Sequence, residues 1–169
     1  MRKTSLFLSM LCASLSMNAQ VATVSSPDGK LKVNFDIQGT KPVYEVIYDG
    51  KQMLDYSPLG FVADNGDFTQ GINCLSNTTD HLSFDYTLDR SKFSNVHVES
   101  NQLKVNLENA KKLPFSIEFR VSNNDIAFRY SIPNQPSRAY GKKFSMRIMS
   151  EATGFDFPHQ TTTFLTPQS

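Results

Sequence analysis

The sequence predicts an all-β fold, an antiparallel β-sandwich. Short stretches in which apolar and polar residues alternate occur along the chain, separated by clusters of Gly, Pro, Asn and Asp. Successive side chains of a strand point to opposite faces, so this period of two predicts strands with one buried face. No helical periodicity extends beyond two turns, and eight or more short strands at hairpin spacing are typical of packed antiparallel sheets. An up-and-down barrel is the alternative, but barrel closure needs a regular strand count that this loop-broken chain does not show.

The first third of the chain predicts a meander of four strands. Pro27-Asp28-Gly29-Lys30 and Asp49-Gly50 are turn sequences, because proline presets φ and glycine accepts a left-handed conformation. Alternating apolar residues lie on both sides of each turn. The predicted strands are residues 21–25, 31–37, 43–48 and 51–54.

The middle of the chain predicts further turns and strands. Residues 57–61 predict a bend, and Asp64 to Asp67 predict a turn, because this tetrad lacks the alternating ligands and the distal Glu of a calcium loop. Leu82, Phe84 and Tyr86 alternate as a strand. Residues 96–99 and 103–107 predict a hairpin around Ser100-Asn101-Gln102, and residues 109–113 predict an irregular turn.

The most regular pattern lies in FSIEFRVSNNDIAFRYSI, residues 115–132. Four apolar residues alternate with polar ones on each side of Ser122-Asn123-Asn124-Asp125. Asn and Asp tolerate positive φ and bond to their own backbone, so the tetrad predicts a tight turn in a core-forming hairpin. After a loop marked by Pro133, Pro136 and Gly141, a last strand is predicted around Phe144, Arg147 and Ile148.

The N-terminus predicts export. Arg2 and Lys3 precede an apolar run at residues 6–15 that is too short to span a bilayer, which indicates a signal peptide at residues 1–19 and a mature domain at 20–169. Lipid attachment at Cys12 is the alternative, but Leu11 does not suit a lipid-attachment sequence. Only Cys74 would remain after cleavage of the signal peptide, so no disulfide could form within the mature chain. Export of a chain without a disulfide favours a bacterial periplasm.

Composition and motifs point to no particular reaction or binding site. Loss of Arg2 and Lys3 would leave 15 basic and 16 acidic residues, which does not favour nucleic acid or anionic lipid. The carboxylates are scattered singly and no hydrolase or nucleotide motif occurs, so no catalytic or metal-binding residue is assigned. Cys74 predicts a small buried thiol. His81, His97 and His159 lie too far apart to predict a zinc site, and Tyr56, Tyr140 and Phe155 are the loop aromatics that could stack on a sugar.

An ordered set of segments carries a family resemblance. The segments are SPDGKLKVNFDI (26–37), YEVIYDGKQML (44–54), SPLGF (57–61), IAFRYSIP (126–133) and ATGFDFPHQTTTFLTPQ (152–168). Together with the signal peptide, this set resembles the N-terminal domain of glycoside hydrolase family 97, typified by Bacteroidetes starch-utilisation α-glucosidases.

The resemblance implies a galactose-mutarotase-like supersandwich, incomplete here, that packs on a (β/α)₈ catalytic barrel and shapes the sugar cleft. It implies cleavage of α-glucosidic or α-galactosidic bonds, with calcium ligands mostly on the barrel. The expectation is a truncated, non-catalytic N-terminal piece whose partners for Phe119 and Phe128 are absent and which is poorly soluble or partly molten alone. Glu151, Asp156 and His159 could face the cleft. A stand-alone carbohydrate-binding or adhesion sandwich, or a module that binds a protein through an edge strand, are the other possibilities.

Overall fold

A computed structural model describes residues 22–89, 95–133 and 146–162. These residues form eleven strands, joined by turns and extended segments. In chain order the strands are β1 (Ala22–Ser25), β2 (Leu31–Gln38), β3 (Lys41–Tyr48), β4 (Lys51–Pro58), β5 (Phe61–Ala63), β6 (Gly66–Asp67), β7 (Asn73–Thr87), β8 (Asn95–Glu108), β9 (Pro114–Val121), β10 (Ile126–Ser131) and β11 (Ile148–Glu151).

The predicted antiparallel sandwich is confirmed. One sheet has the order β1-β2-β3-β4, the second has the order β10-β9-β8-β7, and β11, β5 and β6 form a smaller third sheet. The first two sheets contact each other through β1 and β2 on one side and β8 and β9 on the other. The four-strand meander is present, and β4 extends to Pro58 rather than ending at residue 54.

Aromatic side chains fill the space between the sheets. Phe119 of β9 is 0% exposed, and its ring centroid lies 6.4 Å from that of Phe35 and 5.9 Å from that of Tyr44. Phe61 and Phe68 stack at 4.6 Å in the region of the third sheet. Such pairs contribute about 0.5–1.5 kcal/mol beyond the burial of their area. Phe35, Phe115 and Phe119 are therefore core residues, as their alternation with polar residues predicts, whereas Phe84 of β7 is 42% exposed.

The hairpin predicted at residues 115–132 is formed by β9 and β10. Phe119 lies opposite Phe128, and Ile117 lies opposite Tyr130. Ser122 N donates to Asp125 O at 3.0 Å, which closes the predicted turn. Phe115, Ile117, Phe119 and Val121 of β9 are buried, whereas Ile126, Phe128 and Tyr130 of β10 are only partly buried. One strand of the hairpin is thus central and the other lies at a border of the core.

The hairpin predicted around Ser100-Asn101-Gln102 is wrong, because β8 continues through these residues as one strand. Ser100 lies opposite Leu82 of β7, and Gln102 lies between Asp80 of β7 and Arg120 of β9. Before Asn101, β8 pairs with β7 alone, so the two strands extend beyond the sheet as a ribbon.

Two predicted turns are confirmed. Asp64 and Asn65 form the turn between β5 and β6. Asn109 organises the predicted turn at residues 109–113: its Oδ1 accepts from Lys111 N and Leu113 N, both at 3.0 Å, and its Nδ2 donates to Asp67 O at 3.0 Å. The signal peptide at 1–19, Tyr140 and Phe144 lie outside the described residues.

Candidate functional site

The polar residues singled out near the closing motif do not form a cluster. Glu151, Asp156 and His159 are all exposed. In the described ranges, no group of three or more His, Cys, Asp or Glu side chains lies close enough together to hold a metal ion. Residues 22–89, 95–133 and 146–162 also contain no helix with the length and apolar character that crossing a membrane requires.

The other residues considered for chemistry lie along β7 and β8: His97 on the ribbon, His81 at its base and Cys74 near the start of β7. His97 is exposed, as its alternation with valines predicts, and its Nδ1 lies 2.7 Å from Asp85 Oδ1. His81 Nδ1 lies 2.9 Å from Asn101 Oδ1. Cys74 is half-buried rather than buried, and burial raises the pKa of its thiol. A raised pKa reduces the thiolate fraction, which disfavours a nucleophilic role.

The segment that follows β11 runs along the free side of β4. We call residues 152–156 the edge segment. Since strands of a sheet otherwise expose a row of N–H and C=O groups at the edge, this segment covers the border of the first sheet. Its backbone bonds to β4 and the following bend join Asp55 N to Asp156 O (2.8 Å), Gly154 N to Pro58 O (3.0 Å) and Ala152 N to Gly60 O (2.9 Å).

Hydrogen bonds of two tyrosines join the edge segment to the core. Tyr130 Oη accepts from Gly60 N at 2.7 Å and shares a hydrogen bond with Thr153 Oγ1 at 2.7 Å. Tyr44 Oη donates to Gly154 O at 3.2 Å. Burial raises the pKa of Tyr130, and it raises the pKa of Tyr44 to about 12. Both hydroxyls therefore keep their protons at neutral pH.

An apolar trough opens beside the edge segment, with a volume of about 470 Å³. Its lining comes from three places: β2 to β4 of the first sheet, β10 with the turn before it, and the residues after β11. Phe155 and Phe157 are 61% and 50% exposed, and Met53 is 43% exposed. The apolar lining residues are Leu31, Tyr44, Val46, Tyr48, Met53, Leu54, Ile126, Phe128, Phe155 and Phe157.

The edge of β10 beside the trough has no strand paired to it among the described residues. Ser122 and Asp125 are a hydrogen-bonded pair, and such pairs alternate along an antiparallel ladder. With Ile126 opposite Val121, the hydrogen-bonded residues of β10 are Ala127, Arg129 and Ser131. The backbone groups of Ile126, Phe128 and Tyr130 therefore point away from β9, towards the free edge.

The aromatics predicted to stack on sugar do not form one platform. Phe155 lines the trough, Tyr56 does not, and Tyr140 lies outside the described residues. Partial burial and the negative charges of Glu45 and Asp36 raise the pKa of Tyr56. Sequence reasoning missed the trough itself, although the alternation of Phe155 and Phe157 is a signal for an extended segment with one apolar side.

Comparison with known proteins identifies the family. Residues 24–169 match the family model described as glycosyl-hydrolase 97 N-terminal. The chain belongs to this family. The resemblance found in the sequence is thereby confirmed over nearly all of the proposed mature domain.

Individual relatives agree with this assignment. A retaining alpha-galactosidase of Bacteroides thetaiotaomicron is 32% identical over 160 residues, which are 94% of this chain and 22% of the relative. The crystal structure of a beta-arabinopyranosidase superposes with a TM-score of 0.81 at 44% identity, covering 89% of this chain and 23% of that one.

A glycoside hydrolase family 97 enzyme from Pseudoalteromonas sp. strain K8, solved in complex with acarbose, shows the same fold. Its TM-score is 0.73 at 21% identity, over 82% of this chain and 20% of that one. The chain thus spans between a fifth and a quarter of the length of these relatives.

Proposed function

We propose that this chain is the N-terminal sandwich of a longer glycoside hydrolase and packs on a catalytic domain in the same polypeptide. The observation that carries the proposal is the family match over residues 24–169. The chain spans less than a quarter of the length of the galactosidase and of the arabinopyranosidase, which supports a longer parent. The sandwich would hold the catalytic domain in place and help to shape its sugar cleft. Its exposed apolar trough supports this role, because large exposed apolar patches on sandwiches are typical of contact surfaces.

Two relatives support a substrate class for the parent enzyme. The chain is 44% identical to the arabinopyranosidase and 32% identical to the galactosidase. L-Arabinopyranose has the ring hydroxyl configuration of D-galactopyranose and lacks only the C6 hydroxymethyl group. The parent is therefore an enzyme for galacto-configured pyranosides, rather than α-glucosides.

Calcium and location belong to the same proposal. The described residues do not fit a calcium site, since they hold no cluster of three or more acidic or histidine side chains. The calcium ion implied by the family resemblance would be bound by residues outside this part of the chain.

The basic and apolar sequence of residues 1–19 supports export to the periplasm.

The test is an activity assay on the protein encoded by the complete reading frame. The purified enzyme is offered 4-nitrophenyl α-galactoside, β-L-arabinopyranoside and α-glucoside, and kcat/KM is measured for each. We expect turnover of one of the galacto-configured substrates with at least about tenfold higher kcat/KM than the α-glucoside, a difference of about 1.4 kcal/mol. Residues 20–169 expressed alone serve as the control without the catalytic domain.

Two outcomes would count against the proposal. A folded full-length protein without glycosidase activity would overturn the assignment to a glycosidase. A preference for the α-glucoside would leave that assignment in place and refute the galacto-configured substrate. Chelation with EDTA and restoration by calcium tests the metal, and activity that is indifferent to both would refute the calcium requirement.

A further inference from the structure

We propose that the ribbon of β7 and β8 carries a binding surface for a neutral oligosaccharide of galacto-configured sugars. The surface combines an aromatic strip on the ribbon with a row of polar side chains where the ribbon enters the second sheet. The choice of galacto-configured sugars rests on the proposed function, because that is the substrate class proposed for the parent enzyme.

The apolar side of the ribbon faces away from the core of the sandwich. Within the second sheet, the buried side chains of β8 belong to odd-numbered residues such as Leu103 and Val105. Side chains of a strand alternate between its two faces, so Val96 and Val98 point to the opposite face. The residues paired with these two valines and the next residue on that face of β7 complete the aromatic strip, which consists of Leu82, Phe84, Tyr86, Val96 and Val98. The first sheet packs on the core side and does not cover this strip.

Phe84 and Tyr86 present two neighbouring rings on the strip. They are 42% and 43% exposed, their ring centroids lie 6.3 Å apart and their planes differ by 32°. The two rings thus form one broad apolar surface, on which a pyranose can stack its C–H bonds. In a galacto-configured sugar the axial O4 leaves H3, H4 and H5 on the same side of the ring, which makes that side apolar.

A row of polar side chains crosses the second sheet beside the strip. Asp80 of β7 lies opposite Gln102 of β8, which lies opposite Arg120 of β9. Within the described residues, none of these three side chains makes a hydrogen bond or an ion pair. The carboxylate accepts, the guanidinium donates and the amide does both, so the row can bind sugar hydroxyls, which also donate and accept. The opposite charges of Asp80 and Arg120 suit a neutral sugar rather than an acidic one.

The spacing of the strip and the row suits a chain of sugars rather than a single one. Successive residues of a strand are about 3.3 Å apart, so Asp80 lies about 13 Å from Phe84 on the same face. Beyond Arg120, the small side chain of Ala127 helps to leave a shallow pocket of about 190 Å³. Pockets that enclose small molecules measure about 300–1,000 Å³, so this one can hold the end of a sugar chain without enclosing it.

A buried hydroxyl lies between the strip and the row. Ser100 is opposite Leu82, and its Oγ is buried without a hydrogen-bond partner among the described residues. Most buried polar side-chain atoms have such a partner, and each exception calls for an explanation. A sugar hydroxyl that displaces the side chains covering Ser100 would supply the missing bond.

The small area of the strip argues against a protein as its occupant. Three residue pairs of a two-stranded ribbon cover about 20 Å by 10 Å, or about 200 Å². A stable protein interface buries about 800 Å² on each partner. The strip alone would therefore not hold a second copy of this chain, whereas a stacked sugar needs only the two rings and the polar groups beside them.

Native electrophoresis of the full-length protein tests the proposal, in the cold, through gels that contain galactomannan. Galactomannan carries α-galactosyl branches, and amylose is the comparison glucan. We expect galactomannan to retard the protein more than amylose does. Tyr86→Ala and Phe84→Ala should each raise the dissociation constant for galactomannan by about fivefold or more, because each substitution removes a stacking ring.

Tyr86→Phe and Tyr56→Ala are the matched controls. Tyr86→Phe keeps the ring and should keep the retardation. Tyr56 lies on β4 of the first sheet and is 38% exposed, so Tyr56→Ala removes a comparable ring outside the strip and should leave the retardation unchanged. The thermal unfolding temperature of each variant should stay close to that of the unchanged protein, because all three rings are exposed.

Several results would overturn the proposal. Galactomannan that does not retard the protein, or amylose that retards it equally, would do so. An equal loss of retardation from Tyr56→Ala and Tyr86→Ala would also do so. A large fall in unfolding temperature that accompanies the loss in both Phe84→Ala and Tyr86→Ala would show that the strip packs against protein instead.

Hydrolysis of 4-nitrophenyl α-galactoside by the same protein separates this proposal from the proposed function. An active glycosidase whose retardation does not depend on Phe84 and Tyr86 would refute the sugar-binding surface alone. Retardation that depends on both rings, in a folded protein without glycosidase activity, would support the surface and refute the proposed function.

Discussion

Glu118 is a buried charge on the outer face of the second sheet, and its partners lie on the two neighbouring strands. Its carboxylate contacts Lys104 Nζ of β8 at 3.1 Å and Arg129 Nη2 of β10 at 2.6 Å. Burial acts to raise the pKa of this carboxyl, but hydrogen bonds and positive charge from Arg129 and Lys104 outweigh burial and lower the pKa. Glu118 thus joins β8, β9 and β10 across the face opposite the aromatic core.

We predict that Glu118→Gln lowers the free energy of unfolding at pH 7 by roughly 1.5–3 kcal/mol, the range for hydrogen bonds to charged groups. Because the pKa is lower in the folded state than in the unfolded state, the stabilisation is present above the unfolded pKa of about 4.3 and is lost as the pH falls through the folded pKa. Urea unfolding of both proteins at pH 7 and at about pH 3 measures this. The difference between them should shrink on acidification.

The control for this prediction is Glu99→Gln. Glu99 lies 3.7 Å from His81 and its side chain is 51% exposed, so exposure to water and salt weakens the pair. We expect a change of less than about 0.5 kcal/mol. A similar loss from both substitutions, or a difference at Glu118 that does not depend on pH, would show that the charge is not what stabilises the sheet.

Individual side-chain roles were predictable where the chemistry is local. The turn at Asp125 and the solvent-facing position of His97 follow from short-range patterns. The bond from Gly60 N to Tyr130 Oη joins residues 70 positions apart, and no local pattern predicts it. Gly60 has φ +124°, and a Cβ there would lie 2.4 Å from Phe68 O, so the residue must be glycine for a reason that only the fold shows.

At the level of elements, β8 shows why one prediction was wrong. Ser, Asn and Gln in succession favour a turn, but Asn101 Nδ2 donates to Ser25 O at 2.8 Å on the opposing sheet, and Ser100 is fully buried. These contacts are made with residues far away in the sequence, and they override the local preference for a turn. In contrast, β9 and β10 were predictable, because strict alternation and a tight turn require nothing beyond the hairpin itself.

We predict that the two ends of β8 differ in stability, which valine-to-alanine substitutions measure. Val105 is 0% exposed between β7 and β9, whereas Val96 lies on the ribbon and is only partly buried. Val105→Ala should cost roughly 2–3 kcal/mol through lost burial and a cavity, and Val96→Ala less than about 1 kcal/mol. Urea unfolding is the measurement. Equal costs would mean that the ribbon is packed as tightly as the sheet.

For the whole molecule, the structure corrects one reason for expecting a partly molten chain. Phe119 does not lack partners, because it is 0% exposed and its ring contacts those of Phe35, Tyr44 and Phe128. Phe128 is half-buried and lines the trough, which agrees with the expectation of an incomplete sandwich. Poor solubility of the short chain stays a prediction, and we expect its cause to be the exposed trough and the free edge of β10 rather than a missing core.

The fold class and the family could both be read from the sequence, because strand alternation and an ordered set of motifs are visible without coordinates. The trough could not be read, because its lining combines Leu31 and Met53 with Phe128 and Phe155. Their proximity depends on how two sheets and the edge segment meet, which no local pattern contains.

The central claim is that this sandwich is one domain of a longer glycosidase, and sequencing the reading frame at its locus beyond the codon for Ser169 tests it most directly. We predict an open frame that continues into a domain several times longer than this one, in keeping with relatives of which this chain spans 20–23%. A genuine stop codon directly after Ser169 would contradict the account, and binding of glycans by the isolated sandwich would then be the function to examine.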